Sequence, residues 1–243
     1  MSEESRADVL AVGAHPDDVE LRAGGTLHKL AEKGYRVVIC DLTRGEAATR
    51  GTPEQRLEEA SKAAAVLGAS ERINLGLPDG RLTDLLEYRD RIIEVIRRFR
   101  PTLVLCSYPE DLHPDHAAAG RLLKACLYPA GIGKYPVEGV PWRPRALLFY
   151  MAHSFFRPDF IVDTTGHFEA KRRAVECYRS QLYNPPSPGP LTWVSKPDLF
   201  EELKGRDRYF GSLIGRRYGE PFAVMGFVPF DDPVAHFSGF GIP

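Results

Sequence analysis

Short runs in which nearly every residue is apolar alternate along the chain with longer stretches in which apolar residues recur every three or four positions. The runs Asp8 to Ala14, Tyr35 to Leu42, Arg72 to Gly76 and Leu103 to Ser107 suit strands of a parallel sheet covered on both faces. After the first, apolar positions Val19, Leu21, Ala23, Leu27, Leu30 and Ala31 keep a helical spacing, broken by Gly24-Gly25 and stopped at Gly34. After the second, Thr52-Pro53-Glu54-Gln55 places Thr at an N-cap, Pro at the first helical position and Gln at N3, opening a helix to about Leu67. Leu85 to Arg100 is amphipathic and ends before Pro101, and Asp115 to Cys126 follows the fourth run with a helical period.

Strands and helices that alternate across short loops form right-handed βαβ units. The predicted fold class is therefore α/β: a Rossmann-like, doubly wound, mostly parallel sheet in a three-layer α/β/α arrangement, of strand order 3-2-1-4-5 with C-terminal additions. Ala146 to Tyr150 is the fifth strand, and the additions continue with a strand at Phe160 to Val162, a helix from Phe168 to Arg179 and another from Lys196 to Gly215. Residues 1–243 read as one domain, with a polar tail at 1–7 and a Pro-rich flap at 183–190 placed to cover a site. The apolar end from Phe222 onward, with Phe227, Phe230, Phe237 and Phe240, predicts burial between subunits and hence a homo-oligomer.

Composition narrows the function classes. Of 243 residues 43% are hydrophobic and 27% charged, and the net charge of -1 comes from interleaved acids and bases. Neither a nucleic-acid partner nor a membrane surface fits that balance. No stretch approaches a membrane span, and the polar, acidic first residues lack a leader pattern, so a cytoplasmic location is expected. Cys40, Cys106, Cys126 and Cys177 form no CxxC pair and read as free thiols.

The chemistry concentrates at two strand exits. Ala14-His15-Pro16-Asp17-Asp18 leaves the first strand, and His113-Pro114-Asp115-His116 follows the fourth. In an open α/β sheet of this order the two strands flank the crevice where ligands bind, so both motifs belong to one site. A catalytic Zn²⁺ takes three ligands from His and carboxylates and keeps a place for water. His15, Asp18 and His116 are the expected ligands, Asp17 the base, His113 a group facing substrate, and Asp115 the partner that keeps His113 protonated. The bland alternative makes Asp17-Asp18 and Asp115 ordinary helix caps; two such motifs at equivalent strand ends weigh against it. A two-His-one-carboxylate Fe(II) oxygenase shares the donor pattern but calls for a many-stranded β scaffold. A non-catalytic binding module is the third reading, although every reactive group is in place.

At these residues the sequence resembles the PIG-L/LmbE-like family of zinc-dependent N-acetylglucosaminyl deacetylases, marked by AHPDD after the first strand and HPDH after the fourth. Gly24-Gly25-Thr26-Leu27, Arg50 to Arg56, Ser180-Gln181 and Tyr209 to Ser212 are similar to the bacillithiol-biosynthesis branch, which deacetylates N-acetylglucosaminyl malate. The resemblance implies Zn²⁺, or Fe²⁺, on His15, Asp18 and His116, with Asp17 as base and His113 as electrostatic stabiliser. It also implies a small-molecule N-acetyl sugar substrate contacted by Arg56. Other N-acetyl sugars or thiol conjugates are the alternative substrates. Leu112 stands where the branch carries Arg, so another cation, such as Arg44 or Arg50, is needed to read the malate. Glu46 and Tyr183, on loops, are further substrate-binding candidates, and His153 is a candidate lining residue; His28, His167 and His236 are expected at surfaces without partners.

Overall fold

The computed structural model describes residues 6–186, 190–229 and 231–238. Four strands, β1 (Val9–Gly13), β2 (Val37–Thr43), β3 (Glu71–Leu77) and β4 (Leu103–Ser107), pair in parallel with β5 (Ala146–Tyr150), in the order β3-β2-β1-β4-β5. Two further strands, β6 (Phe160–Asp163) and β7 (Gly219–Val224), extend the sheet antiparallel, with β7 between β5 and β6. The doubly wound order predicted from the alternation is the order observed.

Helices α1 (Asp18–Glu32), α2 (Pro53–Leu67) and α5 (Phe168–Glu176) pack together on one face; α3 (Leu86–Phe99) and α4 (Pro114–Ala130) pack on the other. β1 shows why both faces are dry. Val9 and Ala11 enter the core under α1, whereas Leu10 and Val12 enter the core under α3 and α4. The α2 start is a complete capping box, Thr52 accepting from the Gln55 amide at 3.3 Å and Gln55 from the Thr52 amide at 3.1 Å. Helix α6 (Leu199–Ser212) lies against β7, and α7 (Pro233–Ser238) is exposed. No described helix is long and apolar enough to cross a membrane.

Some expectations change. β7 begins three residues before Phe222 and makes a strand of what read as the start of an apolar tail. Ala7 is buried and its amide donates to Phe99 O at 2.7 Å, so the polar tail is shorter than expected. Of the flap, residues 187–189 lie outside the described residues, as do Phe230 and Phe240 of the C-terminal cluster. His28 and His167 are paired, Nδ1 to Nδ1 at 3.1 Å, with Glu32 against both. All four cysteines are free; Cys40, Cys106 and Cys126 are buried, and burial pushes the Cys106 and Cys126 thiols up to about 12.

Candidate active site

β1 ends in a turn that only glycine fits: a Cβ on Gly13 would lie 2.8 Å from His15 O. The chain then brings Asp17 to φ 108°, an unusual conformation for a residue with a side chain, and Asp18 starts α1. His15 is fixed at both ends. Its amide donates to Asp18 Oδ2 at 2.9 Å, and its Nε2 lies 3.0 Å from Asp79 Oδ1 and 3.2 Å from Asp115 Oδ2. Its Nδ1 faces Asp18 Oδ2 at 3.5 Å.

From the other wall, Pro114 opens α4 and His116 sits in its first turn, with Nε2 3.1 Å from Asp18 Oδ1 and Nδ1 3.1 Å from Asp111 Oδ1. One donor atom each from His15, Asp18 and His116 thus lies within 4.8 Å of the others. The outer nitrogen of each imidazole is held by carboxylates, which orients the ring as in histidine-liganded metal sites. Two imidazoles and a carboxylate fit a divalent ion of the Zn²⁺ or Fe²⁺ kind.

The electrostatics match the geometry. Burial works against a charged His15, but Asp115, Asp18 and Asp79 outweigh it and lift its pKa well above the ordinary value. His116, similarly buried, is raised to about 9 by Asp18 and Asp111. Asp18 is held well below the usual carboxylate range, since His116 and His15 overcome its burial. Asp17 moves the other way. Burial pushes its carboxyl up to about 7, against the pull of Arg56, whose Nη2 lies 3.2 Å from Asp17 Oδ2.

Several expected roles change place. The Asp115 carboxylate does not bond His113: it accepts the Gly80 amide at 2.7 Å, the Leu82 amide at 3.1 Å and His15 Nε2. His113 Nδ1 instead accepts from the Asp115 amide at 3.3 Å. Burial and the neighbouring His116 and His15 lower the His113 pKa, which favours the neutral imidazole, and an Nδ1 that accepts leaves the ring proton of that form on Nε2. Arg56 lines the cleft, as expected of a substrate contact, and is also buried with Nη2 on Pro16 O at 2.6 Å and on Asp17, which clamps the first motif. Glu46 braces the loop, accepting the Asp79 amide at 2.9 Å. Arg50 lines a separate groove with Ser180 and Asn184, and neither it, Glu46 nor Tyr183 lines the cleft.

Two residues that sequence reasoning did not assign complete the site. Asp79 bonds His15 from the turn after β3, and its signal was the turn Leu77-Pro78-Asp79-Gly80. Asp111 accepts four groups: His116 Nδ1, the His113 amide at 3.0 Å, the His153 amide at 2.8 Å and the Ser154 amide at 3.0 Å. Its position five residues before His116 was the only signal. His153 lines the cleft and stacks on His116, centroids 5.1 Å apart, with the Trp193 ring tilted against it at 5.1 Å. The cleft is about 310 Å³, and Gln181 and Thr192-Trp193-Val194, flanking the expected flap, supply its outer wall.

A family model described as PIG-L, GlcNAc-PI de-N-acetylase, matches residues 10–127, which span both motifs. The diacetylchitobiose deacetylase of Thermococcus kodakarensis is 32% identical over 228 residues, 87% of this chain and 80% of that one. The 1D-myo-inositol 2-acetamido-2-deoxy-alpha-D-glucopyranoside deacetylase of Rhodococcus opacus is 30% identical, covering 82% of this chain and 90% of the relative. The 4-oxalmesaconate hydratase of Pseudomonas putida is also 30% identical, over 71% of this chain and 73% of its own. Among solved structures, a conserved protein from Thermus thermophilus superposes with a TM-score of 0.83 at 40% identity, covering 93% of this chain and 99% of that one. With both motifs, the doubly wound sheet and relatives matched over most of their length, this chain belongs to the PIG-L family.

Proposed function

We propose that the cleft is the active site of a metal-dependent hydrolase that removes the N-acetyl group from a glucosamine conjugate, with N-acetylglucosaminyl malate of bacillithiol biosynthesis as the substrate. The carrying observation is the convergence of His15, Asp18 and His116 beside an Asp17 carboxyl lifted to about 7. The deacetylase names of the Thermococcus and Rhodococcus relatives support the acetamido sugar. His15, Asp18 and His116 would hold Zn²⁺, with Fe²⁺ the alternative. Held there, such an ion would supply Lewis-acid polarisation of the acetyl carbonyl and would lower the pKa of the attacking water toward about 7.

Asp17 takes the proton of the attacking water. A base is most effective with a pKa near the working pH, and burial supplies that value while Arg56 fixes the carboxylate's direction. His113 offers its Nε2–H to the oxygen that becomes negative in the tetrahedral species. Asp17 then returns the proton to the sugar nitrogen as the C–N bond breaks, leaving acetate and the free amine. Because His113 Nδ1 is committed to a backbone amide, this stabilisation comes from a neutral donor, not from the imidazolium that the motif alone suggests.

The hydratase relative supports a second reading, in which the same base and donor add water across a conjugated C=C bond of a carboxylated substrate. Exposed Phe227, Val228, Val234 and Phe237 support the homo-oligomer. One preparation tests these readings. Acetate release is measured from N-acetylglucosaminyl malate, N-acetylglucosaminyl inositol, N-acetylglucosamine and diacetylchitobiose, with metal content and mass by light scattering on the same sample. Acetate from at least one sugar is expected; none from any, with loss of 4-oxalmesaconate absorbance, would transfer the assignment to hydration.

A further inference from the structure

Beside the cleft lies a second cavity of about 330 Å³, which shares Leu21, Arg22, His153, Trp193 and Val194 with it and is lined beyond them by Arg206 and Tyr209. Two guanidinium groups in this lining lack an anion among the described residues. Arg22 lies four residues after Asp18 on α1, so both side chains leave the same helix face. Among the described residues it makes no hydrogen bond or ion pair, and Asp18, Asp111 and Asp17 act on it only as nearby charges. Arg206, on α6, donates Nη2 to Met151 O and leaves its buried Nη1 without a partner among the described residues.

The acids around them are already engaged. Glu202 pairs with Lys196, Asp207 with Lys171 at 2.8 Å, and Asp18 and Asp111 with the site histidines. Burial and the charge of Arg22 bring Arg206 down to about 9, a measure of how poorly the cations are compensated. An uncompensated, partly buried cation pair is costly to fold, and a ligand anion removes that cost. Planar guanidinium groups match carboxylate and phosphate oxygens through paired hydrogen bonds.

We propose that this cavity is the aglycone subsite, where Arg22 and Arg206 bind a carboxylate or phosphate of the substrate while its N-acetyl sugar lies in the cleft beside Asp17 and His116. The inference rests on the deacetylase reading and says which residues would hold the conjugate's anion. His153 and Trp193, between the two spaces, would then meet the glycosidic link.

The test compares kcat/KM for acetate release from three compounds that share one sugar: N-acetylglucosaminyl malate, N-acetylglucosamine 1-phosphate and the neutral methyl N-acetylglucosaminide. The wild-type enzyme is expected to prefer an anionic compound, and Arg22→Gln to reduce that anionic-to-neutral ratio by about tenfold to hundredfold, the worth of a hydrogen bond to a charged group. The compound whose ratio falls more identifies carboxylate or phosphate. Should the variant fail to fold, the wild-type ratio itself is followed with added KCl; it should fall as the charges are screened. A wild-type ratio near one, a ratio unchanged by Arg22→Gln, or a ratio insensitive to salt overturns the subsite. Acetate release without anion preference sinks only this inference, whereas no acetate from any of the three sinks the deacetylase reading beneath it.

Discussion

Asp17 combines a backbone conformation that side chains seldom adopt with a carboxylate buried against Arg56. Such strain costs on the order of 1–3 kcal/mol and persists where the surroundings enforce it, commonly at reacting centres. Asp17→Asn keeps the shape and removes the carboxylate proposed as the base. Turnover should fall by about 10²–10⁴-fold while metal content stays stoichiometric; near-wild-type turnover would remove Asp17 from that role. The sign of the pH dependence follows from the raised pKa: below about 7 the carboxyl is protonated and cannot accept, so wild-type kcat/KM should climb with pH and level off above that value. At this scale the convergence of His15, Asp18 and His116 was legible because they sit in compact motifs at strand exits. Asp79, Asp111 and Arg22 were not, because each takes its meaning from residues far away in sequence.

The elements show where pattern and packing diverge. Gly24-Gly25 read as a break, yet α1 runs through them without interruption. A Cβ on Gly25 would lie 2.9 Å from Thr164 Cβ, and one on Gly24 3.1 Å from Lys171 Cγ, so the glycines let α1 approach α5 and the turn before it. The Gly25 and Thr26 amides also donate to Glu220, at 3.0 and 2.7 Å, which in turn meets Lys171 at 2.8 Å. In an unconstrained helix Gly→Ala stabilises by up to about 1 kcal/mol. Here the sign should reverse: Gly25→Ala is expected to lower stability by about 1–3 kcal/mol through overpacking, and a rise in Tm on thermal denaturation would refute the packing argument. The first four strands and α2 were readable to within a few residues because burial on both faces leaves an uninterrupted apolar run. β7 was not: Glu220 and Pro221 interrupt it, and its place between β5 and β6 depends on a buried Lys171 supplied by α5.

For the whole molecule, the site joins two halves, β1 with α1 and β4 with α4, whose strands pair in parallel and whose following loops and helices face each other across the crevice. Without an ion, His15 and His116 keep protons at pH 7 because their folded pKa values are raised, that of His116 to about 9. Their contribution to stability is full below the ordinary histidine value and is lost as pH rises through the folded values. A metal bound by these residues would displace those protons, so its affinity should increase with pH, and calorimetry at pH 7 in buffers of different ionisation heat should show proton release on Zn²⁺ binding. Buffer-independent heats would contradict the ligand set. The three buried thiols give the same molecule a built-in record of its opening. Cys40 lies on β2, Cys106 on β4 and Cys126 on α4, with burial holding all three in the unreactive thiol form, while Cys177 is partly accessible. After Cys177 is blocked, alkylation proceeds only through states that expose the sheet or α4, and the order in which the other three react maps which half comes apart first.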